Sequence, residues 1–265
     1  MKRIESVSEV HEILLKITEK FISICAEHRI PYVMLGGTML GAVRHNGFIP
    51  WDDDMDFGVP RKYYSLLIEH LENELPSDYR CLTYKNCEQI KYPFIKIEDS
   101  RTVIDDPRVD SVLDKKIGVN IDIFPLDCCR PNGIRTKIVL LLVKLQTVLF
   151  VETTSLSHIN KFFRQLLRFL IPISKNRLLV MIDILLENSK DKHSIGNVLG
   201  RWKTKEIFPN VIYQLTSDYN FERIKLEGVK DYQFYLSQLY GNYMELPPEN
   251  QRVAHVQNVF YRCKL

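Results

Sequence analysis

The stretch "KIGVNIDIFPLD" (residues 116–127) constrains the fold more than any other part of this chain. Ile117, Val119, Ile121 and Ile123 fall on alternate positions, with Asn120 and Asp122 between them. A period of two marks a β-strand, whose successive side chains point to opposite faces. One face of this strand belongs in a core, so Asp122 stands on the other. An acid placed there caps a helix, pairs with an arginine or does chemistry.

Around that strand the front half reads as mixed α and β. Ser6 followed by Glu9 is a capping-box pattern, and Val7, Val10, Ile13, Leu14, Ile17, Phe21 and Ile24 follow at helical spacing. They predict a helix from Val7 to His28. "YVML" behind Pro31 reads as a short buried strand ending in Gly36-Gly37, followed by a short helix from Thr38 to His45 and a turn at "HNG". "MDFGV" (55–59) predicts a strand, and Pro60 suits the first position of the next helix. "YRCLTY" (79–84), "YPFIKIED" (92–99) and "TVI" (102–104) read as further strands.

From Gly133 the composition changes, and residues 134–190 read as wholly helical. After "RWKTKEIFP" (201–209) the pattern is irregular until a helix at "YQFYLSQLY" (232–240). The expected organisation is an α+β core over 1–130, a helical region over 131–200, and a segment over 201–265 that packs back on the core.

The net charge of +3 on 265 residues lacks the basic excess of a nucleic-acid binder. "MKRIESVSEV" has no apolar run of the secretory kind. The apolar segments 137–152 and 162–187 are broken by Lys144, Arg164, Arg168, Lys175 and Arg177. A spanning helix wants about 20 largely uncharged residues. Cysteines at 25, 81, 87, 128, 129 and 263 include no C-x-x-C pair and suit the reduced thiols of a cytoplasmic protein. The basic residues of the helical middle, Arg135, Lys137, Lys144, Lys161, Arg164, Arg168, Lys175 and Arg177, accompany Leu, Ile and Phe. Two readings fit them: core helices with a solvated basic face, or peripheral contact with an anionic inner-membrane surface.

The chemistry points to "GGTMLGAVRHNGFIPWDDDMDFGVP" (36–60), where four aspartates fall within five positions. A solvated acidic loop is the ordinary meaning of a charge run. Here, however, Trp51, Met55, Phe57 and Val59 alternate with Asp52, Asp54 and Asp56, which predicts three carboxylates on one strand face. A calcium loop fails, because Phe57 stands where an EF-hand requires glycine and Tyr63 where it requires a bidentate Glu. A helix cap would use one of the four. The remaining reading is a magnesium site for phosphate chemistry. Residues i and i+2 on a strand are about 6.6 to 6.8 Å apart and point the same way, so two carboxylates converge on one ion. Asp122 on a neighbouring strand would add a third. "LGGT" then gains a role, since a strand that ends in glycines and opens a helix turns backbone N–H groups toward a phosphate. Arg44 and Lys96, the latter between Ile95 and Ile97, are candidate phosphate cations, with snorkelling side chains as the competing reading. Trp51 suits a base or sugar if it is not a core residue. His255 is a candidate substrate contact, with a structural histidine as the alternative.

The same stretch closely resembles the signature of the LicD family, related to fukutin and fukutin-related protein. "KKIGVNIDIFPLD" and "YGNYMELPPEN" are also similar to stretches of that family, so the resemblance extends to about residue 255 and fades over 134–200. It implies a nucleotidyltransferase-like fold of the DNA polymerase β type, a mixed sheet with flanking helices plus the helical second region. It implies Gly36, Gly37 and Thr38 as the glycine motif, Asp54 and Asp56 as the metal-binding pair and Asp122 as the third carboxylate; Asp52, with the Arg44, Trp51, Lys96 and His255 of the residue reading above, is expected about the substrate. The activity implied is transfer of a phospho-alcohol such as phosphocholine from a CDP-alcohol donor to a sugar hydroxyl of a cell-surface glycan, with Mg²⁺ or Mn²⁺ and release of CMP. The acceptor would be a lipopolysaccharide or teichoic acid glycan, free or lipid-linked. The carboxylates alone serve equally a nucleotidyltransferase that uses an NTP and releases pyrophosphate, and a non-catalytic metal- or nucleotide-binding scaffold stays open beside both.

Overall fold

The computed structural model describes residues 2–105, 116–150, 158–189, 191, 193–252 and 258–262. Its front half runs β1 (Lys2–Ile4), α1 (Val7–Glu27), β2 (Val33–Met34), α2 (Gly36–His45), β3 (Asp56–Pro60), α3 (Arg61–Glu74), β4 (Tyr79–Leu82), β5 (Ile95–Asp99), β6 (Thr102–Ile104) and β7 (Asn120–Cys128). Helices α4 (Ile134–Phe150), α5 (His158–Leu170) and α6 (Lys175–Glu187) follow. The chain continues through β8 (Ser194–Gly196), β9 (Ile207–Pro209), β10 (Thr216–Phe221), β11 (Ile224–Val229), α7 (Tyr232–Tyr240) and β12 (Val259–Tyr261). This is a mixed α+β architecture.

The main sheet has the order β2-β3-β7-β5-β4, and β8 and β9 extend it from the end of β7. Strand β3 runs parallel to β7; the other pairings are antiparallel. The expected alternation holds on β7, where Ile121 and Ile123 are fully buried beneath α1 and α3. Ser6 caps α1 by accepting from the Glu9 amide at 3.2 Å. Phe21 of α1 then meets Phe57 of β3 with ring centroids 5.1 Å apart. Tyr64 of α3 seals the sheet from above, its hydroxyl donating to Ile123 O at 2.6 Å and accepting from Ile95 N–H at 2.9 Å.

Several elements differ from the sequence expectation. Gly36 and Gly37 open α2; they do not end the strand before it, and Leu35 is the N-cap residue. Strand β7 starts at Asn120, so Lys116–Val119 precede it. Pro60 ends β3, and α3 begins one position later at Arg61. The segment 134–190 is not wholly helical: among its described residues, α5 and α6 are separated by the non-helical stretch 171–174. The tail is richer in strands than expected, because β9 to β12 lie there, and β8 falls just before it. The hairpin β10–β11 turns at Glu222-Arg223, with Glu222 at φ 52°, a left-handed position more often filled by glycine or asparagine. No Asn-Gly or Asp-Gly marks it in the sequence.

Helices α4 and α6 share a second core of Val139, Val143, Leu178, Ile182 and Leu186. In α4, Gln146 is fully buried, and neither its amide nitrogen nor its carbonyl oxygen has a hydrogen-bond partner among the described residues. An unpaired buried amide costs roughly 1–3 kcal/mol. Gln146→Met, close in volume and without polar atoms, is therefore expected to raise the thermal midpoint. A lowered midpoint in a calorimetric scan would contradict the reading.

Candidate active site

The site forms where β2 turns into α2 and β3 begins. Leu35 N–H donates to Asp56 O at 2.9 Å, the last rung of the β2–β3 pair. Because β2 is so short, Asp52, Asp53 and Asp54 lie in the loop ahead of β3, and Asp56 alone of the four is on the strand. The expected row of three carboxylates along one strand is corrected accordingly. Gly36 adopts φ 47°, a conformation that a side chain would strain, and its N–H donates to the Tyr235 hydroxyl at 3.0 Å. Thr38 is buried in the first turn of α2, and its hydroxyl accepts from Asp56 N–H at 2.8 Å. The helix start and the strand start are thus bolted together. A Cβ on Gly37 would sit 2.7 Å from an Asp52 carboxylate oxygen, so only glycine lets that carboxylate approach the helix N-terminus.

Sheet register supplies the rest. Asp56 is the Cα partner of Asp122, and Asp122 is the Cα partner of Lys96, a row across β3, β7 and β5. Lys96 pairs with Asp122 and donates to the Asn120 side chain at 2.9 Å. The lysine flanked by isoleucines is therefore the counter-ion of the acid on the apolar strand.

Charge at the site is poorly balanced. Burial, and then the carboxylates of Asp54, Asp122 and Glu206, push the Asp56 carboxyl well above its usual range, with Lys96 opposing. Asp52 is pushed up to about 7, by burial first and by Asp54 and Asp53, and it shares a hydrogen bond with Asp54. Glu206 is raised by burial to about 7 while accepting from Trp202 N–H at 2.9 Å. Four acidic side chains thus face one region with a single lysine among the charges acting on Asp56.

An open cleft of about 900 Å³ lies over them. Of the sequence-predicted residues, Gly36, Gly37, Arg44, Trp51, Asp52, Asp54 and Asp56 line it. Thr38, Lys96 and Asp122 are not among the residues lining it, and His255 lies outside the described residues. Arg44 is committed to the protein, donating to Tyr243 O at 2.9 Å, and the Arg252 guanidinium covers the Trp51 ring at 5.4 Å. The sequence reading missed the opposite wall, where Asn197, Arg201, Trp202, Glu206 and Tyr240 come from the segments after α6. The Trp202 and Tyr240 rings meet edge to face at 5.4 Å. "YGNYMELPPEN" was the one signal that pointed to this wall.

The loop holding the aspartates is shaped from afar. Phe48 N–H donates to the Glu222 carboxylate at 3.1 Å, and Glu222 N–H to Asn46 O at 2.8 Å, so the β10–β11 turn grips residues 46–48. His11 of α1 bonds to Asp52 O at 2.6 Å and stacks on Phe48 at 3.8 Å.

A family model described as LicD/FKTN/FKRP, nucleotidyltransferase domain, matches residues 29–127. Along 98% of its length the chain is 31% identical to 99% of the lipopolysaccharide cholinephosphotransferase LicD of Haemophilus influenzae. The chain belongs to the LicD family. It is a phosphotransferase enzyme of the LicD type. Uncharacterized proteins of Rickettsia prowazekii and Rickettsia typhi are each 46% identical to it over 46 residues, 17% of this chain and 16% and 14% of theirs. Residues 29–127 of this LicD-family chain carry all four aspartates, Asp122 and Lys96, whereas the opposite wall of the cleft falls beyond them.

An oxygen-rich, under-neutralised site suits a hard divalent cation. Among the described residues, three potential ligand atoms come within 4.8 Å of one another at His28, His70 and Glu74, none of which lines the cleft. The cleft carboxylates are more widely spread. That spacing still fits Mg²⁺, which keeps several waters and is bound through one or two carboxylates plus substrate phosphate.

Proposed function

We propose that this protein transfers a phospho-alcohol, phosphocholine in the first instance, from a CDP-alcohol to a sugar hydroxyl of a cell-surface glycan, releasing CMP. The observation that carries the reading is the row Asp56, Asp122 and Lys96 beside the α2 N-terminus, in a chain alignable end to end with a cholinephosphotransferase. The sheet would be the nucleotidyltransferase-like one, cytoplasmic, with a lipopolysaccharide-type acceptor as named for the Haemophilus relative.

Asp54 and Asp56 would hold Mg²⁺, with Asp122 completing the carboxylate set. When bound, the ion neutralises the donor diphosphate and the charge that develops in the transition state. The Gly36–Thr38 turn, at the positive end of α2, faces the same phosphates. The acceptor oxygen forms a bond to the phosphorus bearing the alcohol as the bond from that phosphorus to the CMP oxygen breaks, and CMP leaves with that electron pair. Lys96 pairs with Asp122, which would either complete the metal site or take the hydroxyl proton. Such transfers depend on positioning and charge more than on covalent chemistry. Trp51 on one wall, with Trp202 and Tyr240 on the other, offers aromatic faces to a base or a quaternary ammonium group.

The test is product identification with purified protein, Mg²⁺, a panel of CDP-alcohols and NTPs, and lipopolysaccharide as acceptor. Acceptor-dependent CMP from one CDP-alcohol is expected. Pyrophosphate from an NTP would replace the proposal with a nucleotidyltransferase, and turnover of no donor would favour a binding scaffold.

A further inference from the structure

Helix α4 is apolar on two sides, and packing accounts for one. Thr136, Val139, Val143, Gln146 and Leu149 are buried toward the protein. Ile134, Ile138, Leu141 and Val148, at spacings of four, three and seven, form a stripe facing away, with Ile134 79% and Leu141 65% exposed. Lys137 and Lys144, both exposed, fall beside that stripe at helical spacing. Helix α5 continues the theme, tied to the end of α4 by Arg168 donating to Leu149 O at 2.8 Å and carrying Phe169 at 82% exposure. Of 17 large apolar side chains exposed among the described residues, 11 lie between Ile134 and Ile184. A helix apolar on both sides is normally covered on both, and large apolar side chains gathered on neighbouring exposed helices mark an interaction surface.

Charge decides what covers it. Residues 133–187, through the end of α6, contain eight Lys/Arg and three carboxylates, Glu152, Asp183 and Glu187, and Asp183 is turned inward to accept from Arg61. A second copy placed across a two-fold axis would set this basic patch against itself, which like charges oppose. No helix among the described residues is long and apolar enough to cross a membrane. An apolar stripe flanked by lysines suits the surface of an anionic bilayer, with the side chains in the acyl boundary and the ammonium groups among the headgroups.

We propose that the outward face of α4, with α5 beside it, docks this enzyme on an anionic lipid surface. The inference stands on the helices alone and does not depend on the donor or acceptor proposed above.

Flotation of the full chain with phosphatidylglycerol vesicles, and with phosphatidylcholine vesicles as control, tests it. Binding to the anionic vesicles is expected, weakening as salt rises. The double variant Lys137→Gln/Lys144→Gln should lose about 30-fold in affinity, from about one unit of lipid-binding energy per lysine. Ile138→Ser/Leu141→Ser should lose at least as much while keeping the parent's thermal midpoint. No flotation at low salt would overturn the proposal, as would flotation unchanged in both folded variants. It would equally fall if light scattering showed a dimer that either variant dissolved, without vesicle binding.

Discussion

Asp56→Asn is expected to reduce turnover on the order of 10³-fold or more, because several kcal/mol of charge stabilisation leaves with the carboxylate. The fold should survive, and for a specific reason. Asp56 stands half-buried beside Asp122 in the sheet and near Asp54 and Glu206, so its negative charge opposes the folded state. An asparagine has the same shape without the charge, and the backbone bond from Asp56 N–H to Thr38 does not involve the side chain. The variant should therefore melt at or above the temperature of the parent while losing CMP release. An active Asp56→Asn enzyme would remove this residue from the chemistry. An inactive one that melts well below the parent would mean that the carboxylate is structural.

The second large effect belongs to stability. Arg61, at the first turn of α3, donates through Nε and Nη2 to both Asp127 oxygens at 2.6 and 2.9 Å, and through Nη1 to Asp183 of α6 at 2.8 Å. Asp127 is buried at the end of β7, where burial raises its carboxyl and Arg61 pulls it back. This cluster fastens the α4–α6 helices to the sheet. Asp127→Ala leaves a largely buried guanidinium with Asp183 alone, and breaking such a pair costs about 3–5 kcal/mol. For a chain of this size that is a fall in thermal midpoint of about 10 °C. A midpoint within about 2 °C of the parent, well inside the ordinary scatter of surface substitutions, would show that the cluster is not a fastening.

How much of this was legible in the sequence depended on the range of the interactions. Helix α1, strand β7 and helix α7 carry local signals: a capping box, a period of two, an aspartate before an amphipathic turn. They appear near the expected boundaries. Asp122 and Lys96 each stood out as a charge among isoleucines, yet nothing local says that they meet; the β5–β7 register does. The aspartate run kept its apolar alternation through Met55 but not its strand, because β2 turns into a helix and the ladder ends at Asp56. Trp202 and Glu206 were invisible as site residues, and Tyr240 showed only as the first residue of "YGNYMELPPEN". Their positions follow from the return of β8 and β9 to the main sheet, pairings that short strands do not advertise.

The three-stranded sheet joins β1 to β6 through β12, pairing Lys2 with Tyr261 and Tyr261 with Thr102. On a ribosome, it cannot close until residues 259–261 have left the exit tunnel. Until then, the backbone edges of Lys2–Ile4 and Thr102–Ile104 lack the strand that joins them, and bare edges pair readily with other nascent chains. Contacts this distant in sequence also form late and slowly. The yield of folded enzyme is then governed by how long the newborn chain is shielded, and growth at low temperature or extra chaperone should raise it more than any change to the cleft.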